Sequence, residues 1–373
     1  MIIQASGAVI DSSVMSDLWI ETTNGIITSV NSGTHDNPDK VVDGILIPGF
    51  IDIHCHGGGG QYFSASSPDG IAAAINAHTK TGTTSLVASL VTENLTDLKE
   101  QIQRLVPFYT RGEIVGIHLE GPFLSHARCG AHEPTLLIDP TVPLIQELIE
   151  VGQGSIKMIT IAPELKGAQE AIKYLASVGV CAAIGHTEGT FQDAAAATDN
   201  GASLVTHFLN AMNKEDAEGS IANFVLNDPR LVVELIVDGH HLAFKKVQEI
   251  FTSIGSRVLL VSDAMAAAGN GDGKYTIGAL PVEVSNGVAR LASNQKLAGS
   301  TLTISQAFEN LINHCGLSLS QAVHATSVQP AKAFGLKDRG SIAVGMRADL
   351  LSYNSATNSV TVISATNSVT VIS

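Results

Sequence analysis

The sequence is poor in the features that mark secreted and membrane-spanning proteins. Its 373 residues include only four cysteines, at positions 55, 129, 181 and 315, and none of them belongs to a CxxC pair. We therefore expect neither a disulfide framework nor a zinc ribbon. The chain lacks a run of about 18 apolar residues, and its first ten residues lack the basic and long apolar regions of a secretory leader. These absences predict a cytoplasmic protein that does not insert in a membrane.

Positive charge is also scarce. The 35 acidic residues outnumber the 21 lysines and arginines, which gives a formal net charge of -14. Such a chain is repelled by polyanions, so a nucleic-acid or anionic-membrane partner is disfavoured and a small-molecule ligand is favoured. Hydrophobic residues make up 45% of the chain and charged residues only 15%. This composition supports a large buried core, and we expect one large domain with a small one.

The two ends of the chain predict a small β domain. Residues 1–47 alternate like short strands, and Asn24-Gly25 is typical of a type I′ hairpin turn. Strand character returns after Arg339, so we predict a small β-sandwich domain built from residues 1–47 and 339–373. The segment 355–364 recurs as 364–373 with a nine-residue offset. Only one copy can occupy the native position, and we interpret the second as a duplication without function.

Residues 48–338 predict an α/β fold, because apolar strands alternate there with helical stretches such as 69–80, 95–106, 168–177 and 191–198. Eight βα units are what a closed (β/α)8 TIM barrel needs. A β-hairpin excursion is predicted after the eighth strand, over residues 274–292. The eight predicted strands are 50–53, 84–88, 114–119, 157–161, 181–184, 203–206, 232–237 and 258–261.

Two histidines at the end of the first predicted strand suggest a metal site. His54 and His56 are two residues apart, so their side chains face the same way while Cys55 faces elsewhere. Four glycines follow at positions 57–60 and leave the mouth of the barrel open. The pair alone is weak support for a metal site, because two histidines with this spacing are more commonly structural residues hydrogen-bonded in a loop.

Other strand ends supply further polar side chains, and barrel active sites are assembled from such ends. Any one of these residues is more often structural, but together they are hard to explain as packing, since the barrel core prefers branched aliphatic residues. Imidazoles with carboxylates suit zinc or iron better than calcium or magnesium. Asp263 is then the natural general base. The residues concerned are His118, Glu120, His186, His207, His240, His241 and Asp263.

With these motifs the chain resembles the amidohydrolase superfamily, and within it the N-acetylglucosamine-6-phosphate deacetylase family. The resemblance covers residues 45–348. It implies an amidohydrolase-type barrel that hydrolyses the acetamide of an N-acetylhexosamine 6-phosphate to an amino sugar and acetate. It is carried by Pro48-Gly-Phe-Ile-Asp-Ile-His-Cys-His-Gly-Gly58, His118-Leu-Glu-Gly-Pro122, Gly130-Ala-His132, Gly185-His186, Thr206-His-Phe-Leu-Asn-Ala-Met212, Asp238-Gly-His-His241, Ser262-Asp-Ala-Met265 and Leu297-Ala-Gly-Ser-Thr301.

The resemblance also implies a cofactor and an assembly. Glu120, His186 and His207 would hold the principal metal ion. His54 and His56 would hold a second ion with help from Asp263. The expected cofactor is therefore a divalent metal, zinc or iron, with one or two ions per chain. A homodimer is expected because members of the family are usually dimers.

Roles in catalysis and binding follow from the same resemblance. Asp263 would be the catalytic aspartate, and His132 would polarise the carbonyl of the substrate. An activated water would attack that carbonyl while Asp263 moves its proton to the departing amine. Contacts with the amino-sugar substrate would come from His132, Asn210, Ala211, His241, Leu297, Ala298 and Gly299.

One departure from the family pattern leaves alternatives open. Family members carry an arginine after the Asn-Ala-Met motif that clamps the phosphate, whereas residues 213–220 are acidic here and contain no arginine. Lys214 or Arg230 could replace it. The phosphate requirement and the gluco or galacto epimer therefore stay open. So does another amidohydrolase reaction, such as that of a deaminase, dihydroorotase or dipeptidase, and a sugar-sensing metal protein without turnover is a less favoured alternative.

Overall fold

The computed structural model of the protein describes residues 1–64, 67–212 and 219–364. The alternative phosphate contact Lys214, most of the acidic 213–220 loop and nearly all of the second copy of the C-terminal repeat lie outside the described residues.

A nearly closed parallel barrel forms the centre of the protein, which confirms the predicted fold. Its eight strands follow one another around the sheet in chain order, and each pairs in parallel with the next. Most of their residues are buried, as expected for a sheet covered on both faces. The strands are Phe50–Cys55, Thr83–Val91, Gly116–Glu120, Ile156–Ile161, Cys181–Ile184, Leu204–Val205, Val232–Leu235 and Val258–Leu260.

The first and eighth barrel strands are tied together just beyond the end of the eighth. The Asp263 backbone N–H donates to the His54 carbonyl at 2.9 Å, and the His56 N–H donates to the Ala264 carbonyl at 2.8 Å. The hydroxyl and the backbone N–H of Ser262 both donate to the buried carboxylate of Asp52. The circle of strands is therefore closed at the same end as the histidine pair.

Helices surround the barrel, and side-chain caps define where several of them begin. Asn94 accepts a hydrogen bond from the Asp97 N–H, and Thr190, Thr303 and Ser318 form capping boxes. The α-helices are Pro68–Thr79, Leu95–Thr110, Val142–Gly152, Ala168–Ser177, Phe191–Asp199, Ile221–Asn227, Phe244–Ile254, Ile304–Asn313, Leu319–Val323 and Gln329–Ala333. Short 3₁₀ segments span His126–Arg128, Pro134–Leu136 and Gly255–Arg257, and a π segment spans His324–Val328.

The helix Leu95–Thr110 is longer than the predicted 95–106, although a proline usually ends a helix. Pro107 lies inside its last turns. Leu98, Ile102 and Leu105 are buried, and Phe108 continues the same face. The packing of that face therefore stabilises the helix beyond Pro107.

The chain ends share one six-stranded sheet with its own apolar cluster. Asn24 and Gly25 have φ of 51° and 75°, the positive values that a type I′ turn requires. The first copy of the C-terminal repeat supplies an edge strand. The division of the chain at residues 48 and 339 stays a prediction. In sheet order the strands are Ser359–Ser364, Leu350–Asn354, Lys40–Pro48, Ile2–Ile10, Ser13–Thr23 and Ile26–Ser32.

The excursion after the eighth strand has three strands rather than the two of the predicted hairpin. These are Gly273–Ile277, Leu280–Ser285 and Val288–Leu291, paired antiparallel. The extra turn at Asn286 and Gly287 lets Val282, Val284 and Leu291 pack with Met265 and Ala298. This sheet, the three-stranded flap sheet, therefore flanks the carboxyl end of the barrel. A two-residue hairpin, Gly57–Gly58 with Gln61–Tyr62, follows the first strand. None of the helices in the described ranges has the length and hydropathy needed to span a membrane.

Candidate active site

A cavity of about 240 Å³ opens at the carboxyl end of the barrel strands. This volume is just below the roughly 300–1,000 Å³ of typical small-molecule sites, so it suits a small ligand. Acidic, basic and imidazole side chains from several strand ends and loops meet there. The cavity is lined by His56, Glu120, Ala127, Arg128, Gly130, Ala131, His132, His186, His207, Asn210, Ala211, His241, Asp263, Ile277, Lys296, Leu297 and Gly299.

A candidate metal site, which we call the principal ion site, consists of Glu120, His186 and His207 from the ends of the third, fifth and sixth strands. Glu120 Oε1 lies 3.1 Å from His186 Nε2 and 3.0 Å from His207 Nε2. The two imidazole nitrogens are 2.9 Å apart. An ion bound tetrahedrally at about 2.0–2.1 Å holds its ligand atoms roughly 3.3 Å apart, so this spacing fits a divalent metal after small adjustments.

A second group, the first-strand ion site, consists of His54, His56, Asp263 and the same glutamate. His54 Nε2 and His56 Nε2 are 3.1 Å apart. Asp263 Oδ1 lies 3.5 Å from the first of these nitrogens and 3.3 Å from the second. Glu120 Oε2 lies 3.1 Å from His56 Nε2. All four ligand atoms lie within 4.8 Å of one another, and all four residues are buried.

The two ion sites share one carboxylate. Glu120 turns Oε1 to the principal ion site and Oε2 to the first-strand ion site. Burial by itself raises the pKa of Glu120, but the neighbouring charge of His54 and the close imidazoles of His132, His186 and His207 lower it well below its usual value. Glu120 is therefore ionised and available to bridge two cations.

The charges around the first-strand ion site also favour a bound cation. Burial opposes protonation of His54, yet the carboxylates of Glu120, Asp263 and Glu234 raise its pKa well above the usual value. Burial raises the pKa of Asp263, while the charge of His54 and the hydrogen bond from His56 lower it further than burial raises it. The same carboxylates that attract protons to the imidazoles attract a divalent ion, which displaces those protons.

Three of the candidate residues have left-handed backbones at the point where their strands end. The φ angles are 49° at His186, 27° at His207 and 48° at Asp263. Such conformations are uncommon for residues other than glycine, cost on the order of 1–3 kcal/mol each, and cluster at functional sites. Here the turns direct the three side chains toward a common point.

Hydrogen bonds fix which ring nitrogen of His186 faces the site. Its Nδ1–H donates to the Arg128 carbonyl at 2.8 Å, so the lone pair of Nε2 points to Glu120. The Arg128 loop passes close to this ring, because a Cβ built on Gly130 would lie 2.9 Å from His186 Cε1. Arg128, two residues before the Gly130-Ala-His132 motif, thus orients a candidate metal ligand through its carbonyl.

His132 has the opposite tautomer. Its Nδ1 accepts from the Thr92 backbone N–H at 3.2 Å and lies 2.8 Å from the Thr92 hydroxyl. A backbone N–H can only donate, so the ring proton is on Nε2, which points toward Glu120 Oε2 at 3.4 Å. Burial lowers the pKa of His132 to about 4. It is therefore a neutral hydrogen-bond donor at the wall of the cavity.

Most of the predicted substrate contacts also lie at the cavity. His241 is oriented by Asp238, whose Oδ2 accepts from His241 Nδ1 at 2.7 Å. Asn210, Ala211, Leu297 and Gly299 line the wall.

Ala298 is the exception among these predicted contacts. It is fully buried and packs in the apolar cluster of the three-stranded flap sheet, with its N–H bonded to the Ala289 carbonyl at 3.1 Å. Its side chain therefore packs away from the cavity.

Two cations line the cavity. Arg128 forms an ion pair with Glu188, whereas Lys296 is exposed and has no carboxylate partner within the described parts of the chain. Arg230, the alternative phosphate contact, is instead held by Asp228 and Asp199. It precedes the seventh strand and so lies at the amino end of the barrel, away from the cavity.

Sequence analysis missed several residues that support this site. Thr92, which fixes the tautomer of His132, follows the second strand without any recognisable motif. Glu234 lies in the otherwise apolar segment Val232–Leu235 and is fully buried, and a lone carboxylate in a buried strand is a signal of a paired side chain.

His118 lies among the candidate ligands in the sequence, but its position in the structure is that of a structural residue. Its two ring nitrogens contact the hydroxyls of Ser89 at 3.0 Å and Thr160 at 2.8 Å.

Comparison with known proteins agrees with this geometry. Residues 45–372 match the model of the amidohydrolase family. The N-acetylgalactosamine-6-phosphate deacetylase of Escherichia coli O157:H7 is 31% identical over 347 residues, which cover 91% of this chain and 92% of that protein. The N-acetylglucosamine-6-phosphate deacetylase of Bacillus subtilis strain 168 is 30% identical, covering 97% of this chain and 95% of that protein.

Among solved structures, a mutant N-acetyl-D-glucosamine-6-phosphate deacetylase of Mycobacterium smegmatis in complex with N-acetyl-D-glucosamine-6-phosphate has a TM-score of 0.95 and 40% identity, and the match covers 98% of each chain. The family match spans most of the chain, and the relatives align over nearly their whole length. The protein therefore belongs to the amidohydrolase family, in the branch that contains these N-acetylhexosamine-6-phosphate deacetylases.

Proposed function

We propose that the protein is a metal-dependent hydrolase that removes the acetyl group from an N-acetylhexosamine 6-phosphate, in the first instance N-acetylglucosamine 6-phosphate. The observation that carries this proposal is the convergence of Glu120, His186, His207 and Asp263 beside a neutral histidine that can donate a hydrogen bond. The relatives named above, which act on the gluco and galacto substrates, support the substrate class.

The metal we propose is zinc or iron, because the available donors are imidazoles and carboxylates. Glu120, His186 and His207 would hold the principal ion. His54, His56 and Asp263 would hold a second ion. When bound, such an ion polarises a carbonyl oxygen and lowers the pKa of a coordinated water. The homodimer and the cytoplasmic location expected from the resemblance stay predictions.

The side chains of the protein divide the acid–base work of the reaction. Asp263, ionised because its pKa is lowered, accepts a proton from the attacking water. His132 donates its Nε2–H to the carbonyl oxygen of the acetamide, where negative charge develops. Asp263 then passes the proton to the nitrogen of the amino sugar as the C–N bond breaks. Acetate and the free amine result.

The phosphate of the substrate needs a cationic contact at the cavity. Arg128 lines the cavity, but its guanidinium is already paired with Glu188. Lys296 directly precedes the Leu297–Gly299 segment that we propose contacts the sugar, and among the described residues no carboxylate pairs with its ammonium group. We therefore propose Lys296 as a phosphate contact. A galacto substrate is the second candidate, because the E. coli O157:H7 relative acts on it.

Acetate release tests the proposal directly. The metal-loaded protein should release acetate from N-acetylglucosamine 6-phosphate or its galacto epimer, and removal of the metal by a chelator should abolish the release. Unphosphorylated N-acetylhexosamines should react more slowly. Release of ammonia from nucleobases, or no acetate from any member of the panel, would contradict the deacetylase function.

Replacement of Asp263 by Asn should reduce kcat by roughly 10²–10⁴-fold, the usual contribution of general acid–base catalysis. The amide can still contact an ion but cannot accept the proton of water. Metal content of the variant, measured by plasma mass spectrometry, should stay close to that of wild type. Asp272→Asn, at an exposed turn of the three-stranded flap sheet, is the control. Activity of D263N above one tenth of wild type would exclude the proposed role.

Reversal of charge at Lys296 should reduce kcat/KM for the phosphorylated substrate while leaving that for the unphosphorylated sugar nearly unchanged. A charged hydrogen bond is worth about 1.5–3 kcal/mol, so K296E should lose on the order of 10- to 150-fold. Lys274→Glu, an exposed lysine of the same flap sheet outside the cavity, is the matched control. Equal losses with both sugars, or the same loss in K274E, would argue against a phosphate contact.

A further inference from the structure

Glu234 is a buried carboxylate behind the metal-binding side chains. It lies in the seventh barrel strand and is fully inaccessible to solvent. Burying an ionised carboxylate is costly unless other groups compensate its charge. Its Oε1 has no hydrogen-bond partner among the described residues, so the hydrogen bonds of its carboxyl group are made through Oε2.

The Oε2 atom contacts residues from two different strands. It accepts from His54 Nδ1 at 3.1 Å and from the His207 backbone N–H at 3.1 Å. The Glu234 carbonyl also accepts from the Phe208 N–H at 2.9 Å. One residue thus connects the first-strand ion site, through the side chain of His54, with the principal ion site, through the backbone of His207.

The contact with His54 determines which of its nitrogens can bind an ion. A carboxylate accepts hydrogen bonds, so the proton of the neutral ring lies on Nδ1 and the lone pair of Nε2 points to His56 at 3.1 Å. Glu234 touches the far side of the ring and is not itself among the residues grouped at the ion site. Without it, the ring is free to place its proton on Nε2, where it blocks coordination.

The contact with His207 is of a different kind. The backbone of His207 has a φ of 27°, and its N–H needs an acceptor within the barrel. Glu234 supplies that acceptor but leaves the ring of His207 untouched; the Nδ1 of that ring has no partner among the described residues. The orienting effect of Glu234 on ring tautomer is therefore confined to His54, that is, to the first-strand ion site.

We propose that Glu234 is a positioning residue that sets the metal affinity of the first-strand ion site, by holding His54 in the tautomer that presents Nε2 to the ion. This inference rests on the proposed metal dependence of the enzyme, but not on the identity of its substrate. Partners that orient metal-binding histidines in this way are typically worth 10- to 100-fold in metal affinity.

The test measures metal binding on two variants of the full chain. In Glu234→Leu, the side chain keeps a similar volume in an apolar strand but offers no acceptor. In Glu234→Gln, the amide oxygen can still accept from His54 and His207. Metal-free protein is titrated with Zn²⁺ in competition with a chromogenic chelator, and the Co²⁺-substituted protein is followed by its visible absorption.

Glu234→Leu should weaken binding of the ion at the first-strand ion site by 10- to 100-fold and change the Co²⁺ spectrum, whereas Glu234→Gln should recover most of the affinity. If the leucine variant does not fold, the glutamine variant still tests the positioning role. The Co²⁺ absorption spectrum of E234Q should match that of wild type. A Co²⁺ spectrum altered in E234Q as strongly as in a variant lacking His54 would overturn the positioning role.

A double-mutant comparison separates positioning from a general structural effect. Because Glu234 acts through His54, adding Glu234→Leu to a His54→Asn background should cause little further loss of zinc affinity. Glu164→Gln, which removes a carboxylate bonded to the Glu188 N–H outside the ion sites, is the control and should bind zinc like wild type. Equal losses with and without His54, or wild-type zinc affinity in E234L, would overturn the proposal.

The outcome is independent of the acetate assay. If E234L binds zinc at the first-strand ion site 10- to 100-fold more weakly than wild type, but no acetate is released from any N-acetylhexosamine, the proposed reaction fails while the role of Glu234 stands. If acetate is released and E234L binds zinc as wild type does, the role of Glu234 fails and the reaction stands.

Discussion

The active-site structure depends on one buried carboxylate, that of Glu120, which faces two groups of imidazoles with its two oxygens. The distances of 3.0–3.1 Å to His186 and His207 on one side, and to His56 on the other, are close to the roughly 3.3 Å that separates the ligands of a tetrahedral ion. Several histidines packed in a barrel interior would repel one another if protonated and leave lone pairs unsatisfied if neutral. A cation between them and the carboxylate would resolve both difficulties, which supports the proposed metal dependence.

The fold brings these groups together at a definite energetic cost. His186, His207 and Asp263 are left-handed at the ends of their strands, each costing on the order of 1–3 kcal/mol. The large apolar core of the barrel supplies the free energy that maintains these conformations. The ties from Asp263 to His54 and from Ser262 to Asp52 close the barrel beside the cluster, so that ligands at the first and eighth strands keep a fixed distance.

Sequence analysis could predict the barrel and the convergence of the metal-type residues, because the carboxyl ends of parallel strands must meet at one rim. Sequence analysis could not tell which polar residues of a strand face the cavity and which have only a structural role. His118 and Glu120 are two apart on one strand, yet hydroxyls from neighbouring strands satisfy His118 while Glu120 faces the cavity. The role of Glu234 could not be predicted, because the sequence of an apolar strand does not show which side chain on another strand will form a hydrogen bond with it.

The remaining differences also have physical causes. Arg230 comes before its strand, so it belongs to the amino end of the barrel and cannot reach a ligand at the carboxyl end. Ala298 packs in the apolar cluster of the three-stranded flap sheet, whereas Leu297 and Gly299 line the cavity. The tautomers of His132 and His186 depend on backbone groups of Thr92 and Arg128, which are distant in sequence from the rings that they orient.

The most direct test of the central claim is anomalous X-ray diffraction from crystals of the active, metal-loaded protein, collected at the absorption edge of the metal. We expect a peak within about 2.0–2.3 Å of Glu120, His186 and His207. Crystals of active protein with no anomalous peak at these residues, or with the metal bound elsewhere, would contradict the account.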